Sequence, residues 1–178
     1  MKIPRFASLL LLGVFLMSAC SSSAAPTPTP AATLEAFMSL PFTDIATNKQ
    51  VTLADFAGKT VVVEAMAAWC TNCLAQQGQA RIALQKPELS SIVYLSLDVD
   101  PSEDVAKLVQ YEKDHSFPWR FGVSSKALTQ ALAARFGSQI TYVSGIPIFI
   151  IGAGGKVSTL YSGGHPADDL AKLILSNA

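Results

Sequence analysis

The sequence predicts an α/β domain built on a mixed central sheet with helices on both faces. Three observations carry this. Short β-branched runs alternate with longer helix-forming segments through the middle of the chain. Two strand-like runs near the end, 148–151 and 156–161, are joined by Gly152-Ala153-Gly154-Gly155, a hairpin signal. A last helical segment, 167–175, closes the chain after Gly163-Gly164. Repeated βα units, then a hairpin, then a helix give that architecture.

The elements follow in order. Residues 42–52 hold Asp44 and Asn48-Lys49 among apolar residues and predict a small hairpin. Residues 53–59 form a helical turn closed by Gly58. Thr60 to Met66 is a continuous apolar, β-branched run broken only by Glu64, the pattern of a buried central strand. Cys70 to Leu84 has helical composition, and Pro87 ends that segment. Ser91 to Val99 is the next strand. Asp100-Pro101-Ser102 turns into a helix, with Ser102 as N-cap, Glu103-Asp104 in the first turn and Val105, Leu108, Val109 and Tyr111 on the apolar side. Phe117 to Phe121 predicts a short strand whose aromatics pack this unit. Ser124 or Ser125 caps a helix running to Phe136 and ended by Gly137. Pro166 suits the first position of the last helix.

The front of the chain has a different character. Lys2 and Arg5 precede an apolar core, Leu9 to Met17, and the small residues Ser18-Ala19. This is a secretory leader over residues 1–19, too short to span a membrane comfortably. Leu16-Met17-Ser18-Ala19-Cys20 resembles a bacterial lipobox, which implies cleavage before Cys20 and lipidation of its sulfur. Ordinary secretion with an incidental Cys20 is the alternative. Several acyl chains at about 0.8 kcal/mol per buried methylene would anchor the protein stably. Residues 20–33 are rich in Ser, Ala, Thr and Pro, with Pro26, Pro28 and Pro30 alternating with Thr. Such a segment buries no core and reads as an extended tether. The globular domain is therefore placed at residues 34–178, outside the cytoplasm and anchored to the bacterial cell membrane.

The chain holds 13 basic and 13 acidic side chains. Without Lys2 and Arg5 the balance is 11 against 13, a net charge of −2. No basic cluster points to nucleic acid.

Of the three cysteines, setting aside Cys20 leaves only Cys70 and Cys73. One close pair in an exported chain is no disulfide framework. It is a local bridge, a metal half-site or a redox couple. A bridge closing so small a loop stabilises little. The pair sits where a strand hands over to a helix. The helix start favours a thiolate, and the i, i+3 spacing brings the second sulfur within disulfide reach. Cys70 is then the nucleophile and the more exposed sulfur, and Cys73 displaces its adduct. His115 and His165, the only histidines, show no metal-ligand spacing with the pair. Leu74 rules out a Cys-x-x-Cys-His haem site.

Three separated elements resemble the thioredoxin superfamily, in particular its membrane-anchored, TlpA/ResA-like lipoprotein branch. They are Val61 to Cys73 with Trp69-Cys70-Thr71-Asn72-Cys73, then Gly145-Ile146-Pro147 with the strand after it, then Lys156 to Tyr161, Gly163-Gly164 and the final helix. The front hairpin and the extra βα unit between Ser91 and Phe136 match the anchored branch, and the likeness covers nearly all of residues 34–178. It implies a thioredoxin-like fold with an N-terminal hairpin and an inserted βα unit. It implies a thiol–disulfide oxidoreductase acting as a reductant, for instance in cytochrome c maturation or on copper-protein cysteines. Its partners would be protein dithiols or disulfides and a membrane thiol reductase as electron donor; no cofactor is implied beyond the dithiol. Trp69, Ile146 and Pro147 would bind substrate, with Pro147 in a cis peptide bond facing the thiols and blocking metal capture. Glu64 falls where thioredoxins place a buried acid, and would exchange a proton with Cys73. Thr71-Asn72 departs from the Gly-Pro of ordinary thioredoxins and helps set the potential. The competing functions are a disulfide-introducing oxidant, a copper-binding metallochaperone module on Cys70 and Cys73, and, more remotely, a peroxidase.

Overall fold

The computed structural model describes Met1 and residues 34–178. The tether and Cys20, and the leader apart from Met1, lie outside the described residues. Six strands form one sheet: β1 (Pro41–Asp44), β2 (Lys49–Thr52), β3 (Val61–Met66), β4 (Val93–Asp98), β5 (Arg120–Ser124) and β6 (Ile148–Ile151). Four α-helices accompany them: α1 (Thr71–Ala83), α2 (Val105–His115), α3 (Lys126–Phe136) and α4 (Ala167–Leu175). Strand order is β2-β1-β5-β4-β3-β6. The central β5-β4-β3 run is parallel, and β1 and β6 add antiparallel on either side. The α/β class and the thioredoxin-like layout follow.

Burial explains the β-branched run at β3, where all six residues are buried. Side chains alternate across a strand, so Val61, Val63 and Ala65 join one core, with Leu128 and Leu132 of α3. Val62 joins the other, with Ile148 and Ile150 of β6, Ala80 and Ala83 of α1, and Leu170, Ala171 and Ile174 of α4.

Four expectations shift. Asp104, not Ser102, caps α2: its Oδ1 accepts the Lys107 N–H at 2.9 Å. Asp100 has already engaged Ser102, accepting from its N–H at 2.8 Å and its hydroxyl at 2.6 Å. The strand expected over Phe117–Phe121 starts later, at Arg120. Ser116 closes α2 in the left-handed region (φ 50°), and Phe117 turns inward beneath the Arg81 guanidinium, stacked on Trp119. The arm 156–161 forms only isolated bridges to β6, at Val157 and Tyr161. Between them the Ser158 hydroxyl, rather than a backbone carbonyl, takes the Ile150 N–H at 2.9 Å. Pro166 stands just outside α4, as its N-cap.

Candidate active site

Strand β3 delivers the chain to the cysteines. Cys70 is the N-cap of α1, and its Sγ accepts the Cys73 N–H at 3.1 Å. The two sulfurs are joined in a disulfide, with the Cα atoms 5.3 Å apart. The backbone N–H groups of the first helical turn have no partner within the helix, so they and the helix dipole favour a negative sulfur at Cys70.

Exposure does not separate the two sulfurs as expected. Cys70 is 2% exposed and Cys73 is fully buried. The turn Val143–Gly145 lies against both: the Val143 carbonyl oxygen is 3.3 Å from Cys73 Sγ and 3.6 Å from Cys70 Sγ. Polar partners distinguish the sulfurs instead. Cys70 receives a backbone N–H, which favours thiolate. Cys73 has its closer contact with a carbonyl oxygen, which favours thiol.

The same turn leads into Ile146 and Pro147. The Ile146–Pro147 bond is not cis, contrary to expectation; no peptide bond among the described residues is. The reversal is made at Ile146, which takes the left-handed region (φ 53°, ψ 62°) while its N–H donates to the Val143 carbonyl at 2.9 Å. Asn72 Nδ2 donates to the Ser144 carbonyl at 3.0 Å, tying the turn to the start of α1. The Pro147 carbonyl accepts the Ala65 N–H at 3.0 Å, tying the bend to β3. The turn that lies against both sulfurs thus runs directly into Ile146 and Pro147.

Glu64 is fully buried on β3, where burial pushes its carboxyl up to about 8. Hydrogen bonds from Tyr94 and Ser96, with the Gln77 amide close by, offset only part of that. The Tyr94 hydroxyl donates to Oε2 at 3.2 Å and the Ser96 hydroxyl at 3.3 Å, while Oε1 has no partner. Gln77, one turn beyond Cys73 on α1, accepts from the Tyr111 hydroxyl at 2.7 Å and donates to Ser96 at 3.4 Å.

Trp69 is 54% exposed, and its indole N–H donates to Asp100 at 2.6 Å. Ser102 and then this indole hold the Asp100 carboxyl below the ordinary range. A cleft of about 720 Å³ opens beside it, lined by Trp69, Asp100, Pro101, Lys126, Gln130 and Val143 among others. A second, of about 420 Å³, lies along Asn72, Gln76, Ile146 and His165. Among the described residues no group of three His, Cys, Asp or Glu side chains could hold a metal ion.

Sequence reasoning missed the carboxyls behind the cysteine loop. Asp98, at the end of β4, is buried, and its carboxyl is pushed up to about 7 by burial and by the neighbouring Glu103 and Asp100. Glu103, read from sequence as a first-turn helix acid, turns inward and accepts the Ala68 N–H at 2.6 Å. The available signal was Asp98-Val99-Asp100 at the end of an apolar strand, five residues before a second acidic pair.

A match to the Redoxin family spans residues 23–174. No curated protein matches the chain. Among solved structures, it is similar to a secreted disulfide oxidoreductase of Mycobacterium tuberculosis, described as homologous to E. coli DsbE (TM-score 0.61, 11% identity, covering 79% of this chain and 97% of that one). It is also similar to an exposed lipoprotein thioredoxin of Streptococcus pneumoniae (0.60, 18%, 77% and 98%) and to copper-bound ScoI of Arabidopsis thaliana (0.57, 14%, 78% and 94%). At these identities the likeness is one of fold.

Proposed function

The chain belongs to the Redoxin family, its Cys-x-x-Cys pair makes it a thiol–disulfide oxidoreductase, and we propose that it acts as a reductant of protein disulfides outside the cytoplasm. It is a lipoprotein of the TlpA/ResA-like kind, held to the membrane through Cys20. Its substrates are disulfides of maturing secreted proteins, such as apocytochrome c or copper-site cysteines. A membrane thiol reductase returns its electrons. The observation that carries the proposal is the asymmetric pair at the start of α1, beside the Ile146–Pro147 bend and on the helix that continues to Gln77 over Glu64.

In the reduced protein, the Cys70 thiolate attacks one sulfur of the substrate disulfide. A Cys70–substrate bond forms, the substrate bond breaks, and the departing sulfur leaves as a thiolate that takes a proton from solvent. Cys73 then loses its proton, attacks Cys70 Sγ and releases the second substrate sulfur. Glu64 is suited to take that proton through its ionised fraction, which grows as pH rises towards about 8. Trp69 and the backbone at Ile146 flank the reacting sulfur and offer the docking surface.

Cys73→Ala tests the proposal. It should accumulate mixed disulfides with extracytoplasmic proteins through Cys70, all released by dithiothreitol. Adducts on Cys70→Ala instead would reverse the two roles. No adduct on either variant, with wild type unable to reduce an insulin disulfide, would remove the proposal.

A further inference from the structure

The loop that presents Cys70 is stitched to the start of α2 by side chains that the exchange chemistry does not use. Met66, the last residue of β3, lies opposite Asp98, and its carbonyl accepts the Val99 N–H at 3.0 Å. Two residues on, the Ala68 N–H donates to Glu103 at 2.6 Å. Trp69 is held by Asp100, and the Cys70 N–H closes the turn on the Ala67 carbonyl at 3.0 Å. Of these ties, Glu103 is the costly one. Its side chain is fully buried, and a buried carboxylate is tolerated only with close partners. It has two: the Ala68 N–H on Oε2 and the Lys107 ammonium 2.6 Å from Oε1.

We propose that Glu103 is a positioning residue for Cys70: held by Lys107, its carboxylate fixes the Ala68–Trp69 turn and so fixes where the nucleophilic sulfur stands. The inference rests on the thiol-exchange reading above and extends it. Three features support it. The contact is long-range, joining residues 35 apart in sequence, so it fixes one segment against another. The donor is a backbone N–H in the loop itself, which no other group among the described residues receives. The carboxylate is itself anchored by the Lys107 ammonium, one turn along α2 and 2.6 Å from Oε1, with the acids Asp98 and Asp100 as its titratable neighbours. From β3 the only polar partner is backbone, and β5 presents Val123 opposite Asp98. Burial and the neighbouring acids push the Asp98 carboxyl up, so it adds little negative charge beside Glu103.

The test is alkylation of Cys70 by iodoacetamide across pH, in the Cys73→Ala background, with melting temperature measured alongside. Glu103→Gln keeps an amide oxygen for the Ala68 N–H and removes the charge. Its limiting alkylation rate should stay within about threefold of the parent, and its midpoint should move to lower pH, because a negative charge near the thiolate is gone. Glu103→Ala removes the acceptor as well. Its limiting rate should fall roughly tenfold, as loosened positioning of a reacting atom does. A merely structural role would lower both melting temperatures and leave the rates of the folded protein alone. Limiting rates for Glu103→Ala and its parent within twofold, with both folded, overturn the proposal. If Glu103→Ala does not fold, Glu103→Asp decides: it keeps the charge but shortens the reach to the Ala68 N–H, so the limiting rate should fall at least threefold, and a rate within twofold of the parent overturns the proposal equally. Wild type that fails to reduce insulin overturns the thiol-exchange reading, while the alkylation comparison still judges this one.

Discussion

Replacing Glu64 by glutamine should flatten the dependence of stability on pH by one proton's worth. The carboxyl titrates near 8 in the folded protein against an ordinary value of 4.5. Burial is the cause: the charged form loses its hydration, and the Tyr94 and Ser96 hydroxyls, with the nearby Gln77 amide, return only part of it. The folded state therefore holds a proton that the unfolded chain has released at every pH between those values. Stability from this group is full below about 4.5 and is lost as pH rises through 8. Each pH unit in that window costs about 1.4 kcal/mol, or about 4 kcal/mol from pH 5 to pH 8. Glutamine cannot ionise. Its amide oxygen can still accept from Tyr94 and Ser96, but its NH2 would point where Oε1 has no partner. An unsatisfied buried amide costs about 1–3 kcal/mol at every pH. Urea denaturation of the disulfide form, where neither thiol titrates, should show the variant less stable than wild type at pH 5 and at least as stable by pH 8. Asp98 contributes its own slope equally to both proteins. Parallel curves for the two would refute the reasoning, because they would mean that Glu64 is ionised and satisfied in the fold.

Three other substitutions probe separate parts of the structure. Asp104→Ala should cost about 1 kcal/mol through loss of the α2 cap, and Ser102→Ala clearly less, as urea midpoints would show. Gly122→Ala should cost about 1–3 kcal/mol, because an added Cβ would stand 2.4 Å from the Phe42 ring on the adjoining strand; thermal melts measure it. Trp69→Phe keeps a ring at the cleft and drops the bond to Asp100. It should change stability by about 1 kcal/mol or less yet lower kcat/KM for a protein disulfide by threefold or more, roughly the effect of freeing one positioned group.

The sequence was most legible where periodicity and punctuation agreed. The β3 run is six residues long and buried on both faces, so it could only be a central strand. Ser125, Gly137 and Gly58 bound their elements as capping chemistry dictates, with Gly58 and Gly137 at positive φ. Legibility failed where polar side chains had more than one partner within reach. Ser102 and Asp104 both suit an N-cap, and only the fold shows that Asp100 engages the first. Aromatic residues at 117–121 fit a strand, yet Phe117 is drawn inward beneath Arg81. At the site, the Cys-x-x-Cys spacing pointed to Cys70 and Cys73, and the thioredoxin resemblance pointed to Glu64. Neither could give Val143 or Glu103, since their contacts with the cysteine loop span 70 and 35 residues.

The placement of these groups follows from strand parity and helix phase. Val61, Val63 and Ala65 face one core, so Val62 and Glu64 must face the other, towards Tyr94, Ser96 and Gln77. A strand shifted by one residue would turn Glu64 into the wholly apolar side among Leu95 and Phe149. Helix phase then matches it. Cys73, Gln77 and Ala80 recur at the four- and three-residue spacing of one helical stripe, and all three are buried. The resolving sulfur and the amide nearest Glu64 therefore lie along one line on α1. Cys70, the N-cap three residues before Cys73, stands at the head of that stripe, on the loop pinned by Glu103 and Asp100. One sulfur thus shares a stripe with the amide beside the buried acid of β3, and the other ends a loop tied to the acids that open α2. A single helix start thus offers its two sulfurs different polar surroundings at nearly equal burial.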